Sequence, residues 1–190
     1  MATVIPFEER AVAHLRERLG EAREANEDLI AFARGHSGAV ASIHEAVLAG
    51  IETDSVEGLL HVVTQEWPLI LGIDAVALSL IVGDKGFRAD GSGIHMVDPA
   101  ILRRSIDGID GVEMRKVDRG HPLFGPACDL IRAEALVRID AEPPFPTGLL
   151  ALGQRAELAL DARHGSELLL FLARTLATMI RRCVTDPNQP

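Results

Sequence analysis

The stretch from Pro144 to Cys183, PFPTGLLALGQRAELALDARHGSELLLFLARTLATMIRRC, constrains the fold of this chain most. Pro143, Pro144 and Pro146 bar ladder hydrogen bonding at its entry. Gly148 to Gln154 then reads as a short apolar strand, and a polar loop separates it from a helix over Gly165 to Arg182. That helix carries Leu168, Leu169, Phe171, Leu172, Leu176, Met179 and Ile180, a wide apolar face of the core-packing kind. A Pro-bounded strand, a loop and a long closing helix form the second half of a small α+β domain. No residue set within the stretch could run a reaction.

Upstream, Ala75 to Val82 (AVALSLIV) is apolar on both faces, which places it centrally in a sheet covered on both sides. Gly83-Asp84-Lys85-Gly86 is a hairpin signal, with Phe87 to Asp90 returning and Gly91-Ser92-Gly93 breaking the run. Ile94 to Val97 is a further short strand. Asp98 is a good N-cap and Pro99 suits the first position of a short helix. Val112 to Val117 and Glu134 to Ile139 read as strands, with a loop and a helical turn over His121 to Leu130 between them. Before the sheet, Val40, Ile43, Val47 and Leu48 mark one helix. Another runs from Val56 to Leu71, with Pro68 kinking or shortening it. Strands joined by turns and covered by helices make an antiparallel α+β plan.

Residues 7 to 34 read as one long helix. Val12, Leu15, Leu19, Ala22, Asn26, Leu29 and Ala33 alternate spacings of three and four, the heptad pattern of a coiled-coil seam. Asn26 within it would specify register at some cost in stability. The seam suits a homodimer, and the same pattern also suits a helix folded back on its own domain.

Composition bounds the partners. The 190 residues suffice for one domain with an appendage and a sizeable core. A net charge of -9 opposes nucleic acid and anionic membrane surfaces as main partners. No secretory signal opens the chain, and its two cysteines, Cys128 and Cys183, read as reduced thiols in the cytoplasm.

Chemistry-bearing motifs are sparse. Cys128 and His121 lie close enough in sequence to suggest an activated thiolate, against which stands a small buried hydrophobe. The seven histidines show no metal-ligand spacing, and no Cys-x-x-Cys occurs. Gly91-Ser92-Gly93 lacks the full glycine fingerprint of a phosphate loop. Asp107, Asp110, Glu113 and Asp118 lack the ligand order of a calcium loop. Arg138 could clamp a carboxylate or phosphate, or pair with a neighbour such as Glu134.

Several blocks together resemble one bacterial family. They are Arg23-Glu24-Ala25-Asn26-Glu27-Asp28-Leu29, Ile43-His44-Glu45-Ala46-Val47-Leu48, Ile73-Asp74-Ala75-Val76-Ala77-Leu78, Leu123-Phe124-Gly125, Gly148-Leu149-Leu150-Ala151-Leu152-Gly153 and Gly165-Ser166-Glu167-Leu168-Leu169. The chain is similar over residues 7 to 183 to the domain-of-unknown-function family 484, a GAF-like fold behind an N-terminal coiled coil. It departs at Glu134-Ala135, where many members carry a Ser-Ala step. The resemblance implies a fold and no settled activity. The cyclic-nucleotide signature Asn-Lys-Phe-Asp-Glu of some GAF-like domains is absent. Cys128 is followed by Asp129 and not by the His of bilin-binding members, and the cysteine cluster of the methionine-sulfoxide reductases of this fold is missing.

The expectation is therefore a non-catalytic cytoplasmic sensory domain with a GAF-like antiparallel sheet, preceded by a long N-terminal helix. Residues 1–35 would form the helix, 36–184 the domain and 185–190 a frayed tail. A small molecule would sit over one sheet face under the segment from Ile94 to Leu130. Its pocket would be lined by His95, Met96, Met114, His121, Leu123, Phe124 and Cys128, with Arg138 as a clamp; ligands of this kind sit in mostly apolar sites with few polar groups. The signal would pass through a homodimer to a separate protein partner, with no cofactor and no metal. The alternative is a protein-interaction module with a collapsed pocket, acting through its coiled-coil helix.

Overall fold

The computed structural model describes residues 37–140, 145–156 and 162–185, together with Arg18, Gly20 and Arg23; side chains of the last segment are described from residue 165. The chain divides into two compact units, residues 1–39 and 40–190. The expected seam positions Val12, Leu15, Leu19, Ala22, Asn26, Leu29 and Ala33 lie outside the described residues.

The second unit is built on one six-stranded sheet, ordered β3-β2-β1-β6-β5-β4. The strands are β1 (Ala75–Val82), β2 (Lys85–Asp90), β3 (Gly93–Val97), β4 (Val112–Lys116), β5 (Ala133–Ile139) and β6 (Thr147–Gln154). Every neighbouring pair is antiparallel. This is the α+β, GAF-like plan.

The period of two along the central strands divides the sheet into two apolar faces. Val76, Leu78 and Leu80 of β1, Ala135, Val137 and Ile139 of β5, and Leu150 and Leu152 of β6 line one face. Four helices cover it: α1 (helical over the described residues 37–51, of which 40–51 belong to this unit), α2 (Val56–His61), α3 (Trp67–Leu71) and α5 (Ala162–Thr185). They contribute Ile43, Leu59, Trp67, Leu172, Leu176 and Met179. Trp67 is fully buried, and its Nε1–H donates to the Ala46 carbonyl at 2.9 Å, which ties α3 to α1. Ala77, Leu136, Leu149 and Ala151 line the opposite face. That face is covered by α4 (Pro99–Asp107) and a 3₁₀ segment over Pro122–Leu130. Both helical layers follow from strands that are apolar on alternate and intervening positions alike.

The capping chemistry agrees with the sequence. Asp98 accepts from the Ala100 N–H at 2.8 Å with Pro99 in the first turn of α4. Ser55 caps α2 alone, accepting from the Gly58 N–H at 3.0 Å. The expected single helix over Val56 to Leu71 is divided. A π turn, Val62–Glu66, separates α2 from α3, and the Trp67 N–H donates to the Val62 carbonyl. Pro68 explains it: with no N–H of its own and a ring that crowds the preceding turn, it favours a wider ladder just before it.

Candidate functional site

The 3₁₀ segment holds three of the residues expected around a ligand, Leu123, Phe124 and Cys128, and a fourth, His121, is its N-cap. Its Leu123 and Phe124 are 4% and 2% exposed, and they pack with Leu102, Ile106, Ile109 and Ile131 against the sheet. Gly153 of β6 makes room for them: a Cβ there would stand 2.9 Å from the Phe124 ring and 2.8 Å from Ile131. Cys128 is buried in the same cluster. Its carbonyl accepts from the Gly120 N–H at 2.8 Å, and its Sγ receives an Arg119 Nη2 donor at 3.6 Å. Arg119 in turn meets Asp129 at 2.7 Å. The thiol is thus engaged by Arg119 within a closed loop.

His121 caps the segment. Its Nδ1 accepts from the Leu123 N–H at 3.2 Å, which puts the proton of the neutral ring on Nε2. Burial holds the imidazole below its usual pKa; the nearby Glu134 carboxylate opposes that, and Arg115 adds to it. Beneath it lies Glu134, 1% exposed, whose Oε2 accepts from the His121 backbone N–H at 2.6 Å. The Glu134 Oε1 accepts from Arg115 Nε at 2.7 Å, with Nη2 also 2.7 Å away. Arg115 Nη1 reaches Glu113 at 2.7 Å. With both carboxylate oxygens occupied, Glu134 is placed to hold the segment rather than to move protons.

The other expected residues stand elsewhere. Met114 opposes Ala135 across β4–β5 and packs on the face covered by α1, α2, α3 and α5, on the far side of the sheet from Phe124. Met96 is 73% exposed on β3. His95 meets Ser92 Oγ at 2.9 Å at the β2–β3 turn. Arg138 pairs with Asp140 at 2.7 Å and not with Glu134, which stands four residues back along β5, about 13 Å away in an extended strand, and is held by Arg115 directly opposite it in the ladder. Arg138 lines an open groove of about 500 Å³ with Asp110, Gly111, Asp140, Leu170, Ala173 and Arg174. The structure therefore gathers His121, Leu123, Phe124 and Cys128, and leaves His95, Met96, Met114 and Arg138 apart.

Sequence reasoning passed over Glu134, Arg115 and Arg174 as site residues. It also passed over an ion pair beneath the 3₁₀ segment. Arg88 Nε and Asp90 Oδ2 stand 2.9 Å apart with poor hydrogen-bond alignment, and Asp90 is 3% exposed. Asp90 Oδ1 accepts from the Ser92 N–H at 2.7 Å. Among the described residues, no group of three or more His, Cys, Asp or Glu could hold a metal ion. No helix among them is long and apolar enough to cross a membrane.

No family model matches the chain. No curated relative matches it either. Solved structures do. Free methionine-R-sulfoxide reductase from Neisseria meningitidis, in complex with its substrate, is 15% identical with a TM-score of 0.55, over 75% of this chain and 87% of that one. The GAF domain of a phosphoenolpyruvate-protein phosphotransferase from Coxiella burnetii is 15% identical with a TM-score of 0.53, over 77% and 94%. The GAF domain of a putative sensor histidine kinase from Pseudomonas syringae pv. tomato is 13% identical with a TM-score of 0.51, over 80% and 92%. At these identities the likeness is one of fold, and the fold is that of a GAF domain.

Proposed function

We propose that this chain is a non-catalytic, cytoplasmic GAF-like regulatory module of family 484 that works by protein association, as a homodimer signalling to a separate protein. The observation that carries this reading is the sheet face beneath residues 94–130. Leu102, Ile106, Leu123, Phe124, Cys128 and Ile131 fill it, and each is less than a tenth exposed. Side chains at that degree of burial are core, and a ligand there would have to displace them. The functional surface is then the amphipathic helix of residues 1–35, with Val12, Leu15, Leu19, Ala22, Asn26, Leu29 and Ala33 as its seam. Sedimentation of Asn26→Leu tests it. The substitution removes the one polar seam residue and should tighten or re-register self-association; an unchanged sedimentation profile would contradict the seam.

A second reading has its own support. The groove beside Arg138 and Arg174 brings two guanidinium groups to one lining, Arg138 already on Asp140, where a small molecule bearing a carboxylate or phosphate could engage Arg174. Thermal-shift screening against such compounds tests it. A rise in melting temperature that Arg174→Ala abolishes would favour a ligand sensor, and no rise across the screen would leave the interaction module.

A further inference from the structure

The two edges of the sheet differ in kind. β4 ends the sheet with Glu113, Arg115 and Lys116 along its five residues. Charges of this sort protect an edge from pairing with another chain. β3, Gly-Ile-His-Met-Val, has no Asp, Glu, Lys, Arg or Pro. Among the described residues no strand pairs with its outer side.

Ile94 and Met96 continue outward the face covered by α1, α2, α3 and α5. One cross-sheet row runs Leu80, Phe87, Met96, and the next runs Leu78, Ala89, Ile94. Exposure climbs along each, from 7% at Leu80 to 73% at Met96 and from 1% at Leu78 to 56% at Ile94. Among the described residues the covering helices leave Ile94 and Met96, at the ends of these rows, exposed.

The ladder fixes which backbone groups are free. Asp90 and Gly93 close a two-residue turn and must exchange hydrogen bonds with each other. Antiparallel alternation then makes Arg88–His95 and Gly86–Val97 bonded pairs as well. The N–H and C=O groups of Ile94 and Met96 therefore point away from β2.

We infer that β3 is a self-association edge whose occupant is β3 of a second copy of this chain, antiparallel about a twofold axis at His95. That register sets Ile94 against Met96 twice, so the free backbone groups meet each other. It also joins the rows: Leu80, Phe87 and Met96 continue into Ile94, Ala89 and Leu78 of the second copy. The apolar pattern is symmetric about His95, which a self-pairing strand requires. With no Asp, Glu, Lys or Arg on β3, two copies of a chain with net charge -9 bring no carboxylate, ammonium or guanidinium of this strand against another. A pairing of five residues is small beside the ~1,200 Å² of a stable interface, so it is weak by itself and strengthens where another contact already holds two copies together. The inference is independent of the filled sheet face and of the N-terminal seam.

The test is His95→Cys in the full chain under mild oxidation. At the twofold axis the two introduced thiols belong to a non-hydrogen-bonded pair with Cα atoms about 4.5 Å apart, within disulfide reach. Ile101→Cys, 56% exposed on α4, is the reference for collisional cross-linking, and the native Cys128 and Cys183 are both buried. The His95→Cys chain should form covalent dimer at least tenfold faster than Ile101→Cys. Adding Met96→Lys should return it to the reference rate. In the unmodified chain, the Ile94 and Met96 amides should gain hydrogen-exchange protection as protein concentration rises. Equal cross-linking at residues 95 and 101, or amides whose exchange is independent of concentration, would overturn the inference. Concentration-independent protection that appears only with an added partner protein would assign the edge to that partner instead, and would overturn it too.

Discussion

Arg115 and Glu134 face each other directly across β4 and β5, and the guanidinium closes on a carboxylate that is only 1% exposed. Glu134 also holds the backbone of His121, so one buried charge joins a strand edge to the start of the 3₁₀ segment. Its two partners are not equivalent. Removing the carboxylate leaves a donor on each side unmatched. Removing Arg115, whose side chain is 42% exposed, lets water take its place. Glu134→Gln should therefore lower unfolding free energy by about 2–3 kcal/mol and Arg115→Ala by about 1 kcal/mol. Urea titration of both variants checks the order, and equal losses would contradict it.

Gly125 has φ 56° and ψ −127°, and a Cβ there would stand 2.6 Å from Asp90 Oδ2 and 3.1 Å from Arg88 Nη2. Both the backbone region and the buried ion pair exclude a side chain. Gly125→Ala should cost roughly 3 kcal/mol, combining strain with displacement of the pair. Thermal unfolding would register it as a clear drop in Tm.

Phe124 is core in this account. Phe124→Ala should cost about 3–5 kcal/mol through lost burial and the cavity left beside Gly153 and Ile131. Chemical denaturation is the check; a variant as stable as the parent would mean that the ring lines open space.

His121 makes stability depend on pH. Its pKa is lowered by burial, so on acidification the unfolded chain takes up the proton before the folded one does. Stability is complete above the unfolded value of about 6.5 and falls as the pH drops below it. His121→Asn keeps an acceptor for the Leu123 N–H without titrating there. The difference in urea midpoint between the two proteins should shift in favour of the variant between pH 7 and pH 5. A constant difference would assign the acid sensitivity to other groups.

The layers of this fold are readable from single strands. Ala75 to Val82 is apolar at every position but Ser79, so a sheet covered on both sides is the only economical home for it. The caps at Asp98 and the turn at Gly83-Asp84 are local and equally legible. What escaped depends on register between distant strands. Nothing near Met114 says that it opposes Ala135 and so belongs with α5. Arg115 finds Glu134 across nineteen positions, while Arg138, four residues along β5 from Glu134, pairs with Asp140. Burial of a carboxylate likewise cannot be read from Glu134 alone, since it shares its strand face with both Leu136 and Arg138.

Native mass spectrometry of gently purified full-length chain, read for oligomer mass and for any retained small molecule, tests the central claim most directly. A module that works by association with a filled sheet face should appear as a dimer of bare chains. A discrete additional mass on each chain would contradict the account and identify a ligand sensor, and a bare monomer would contradict association itself.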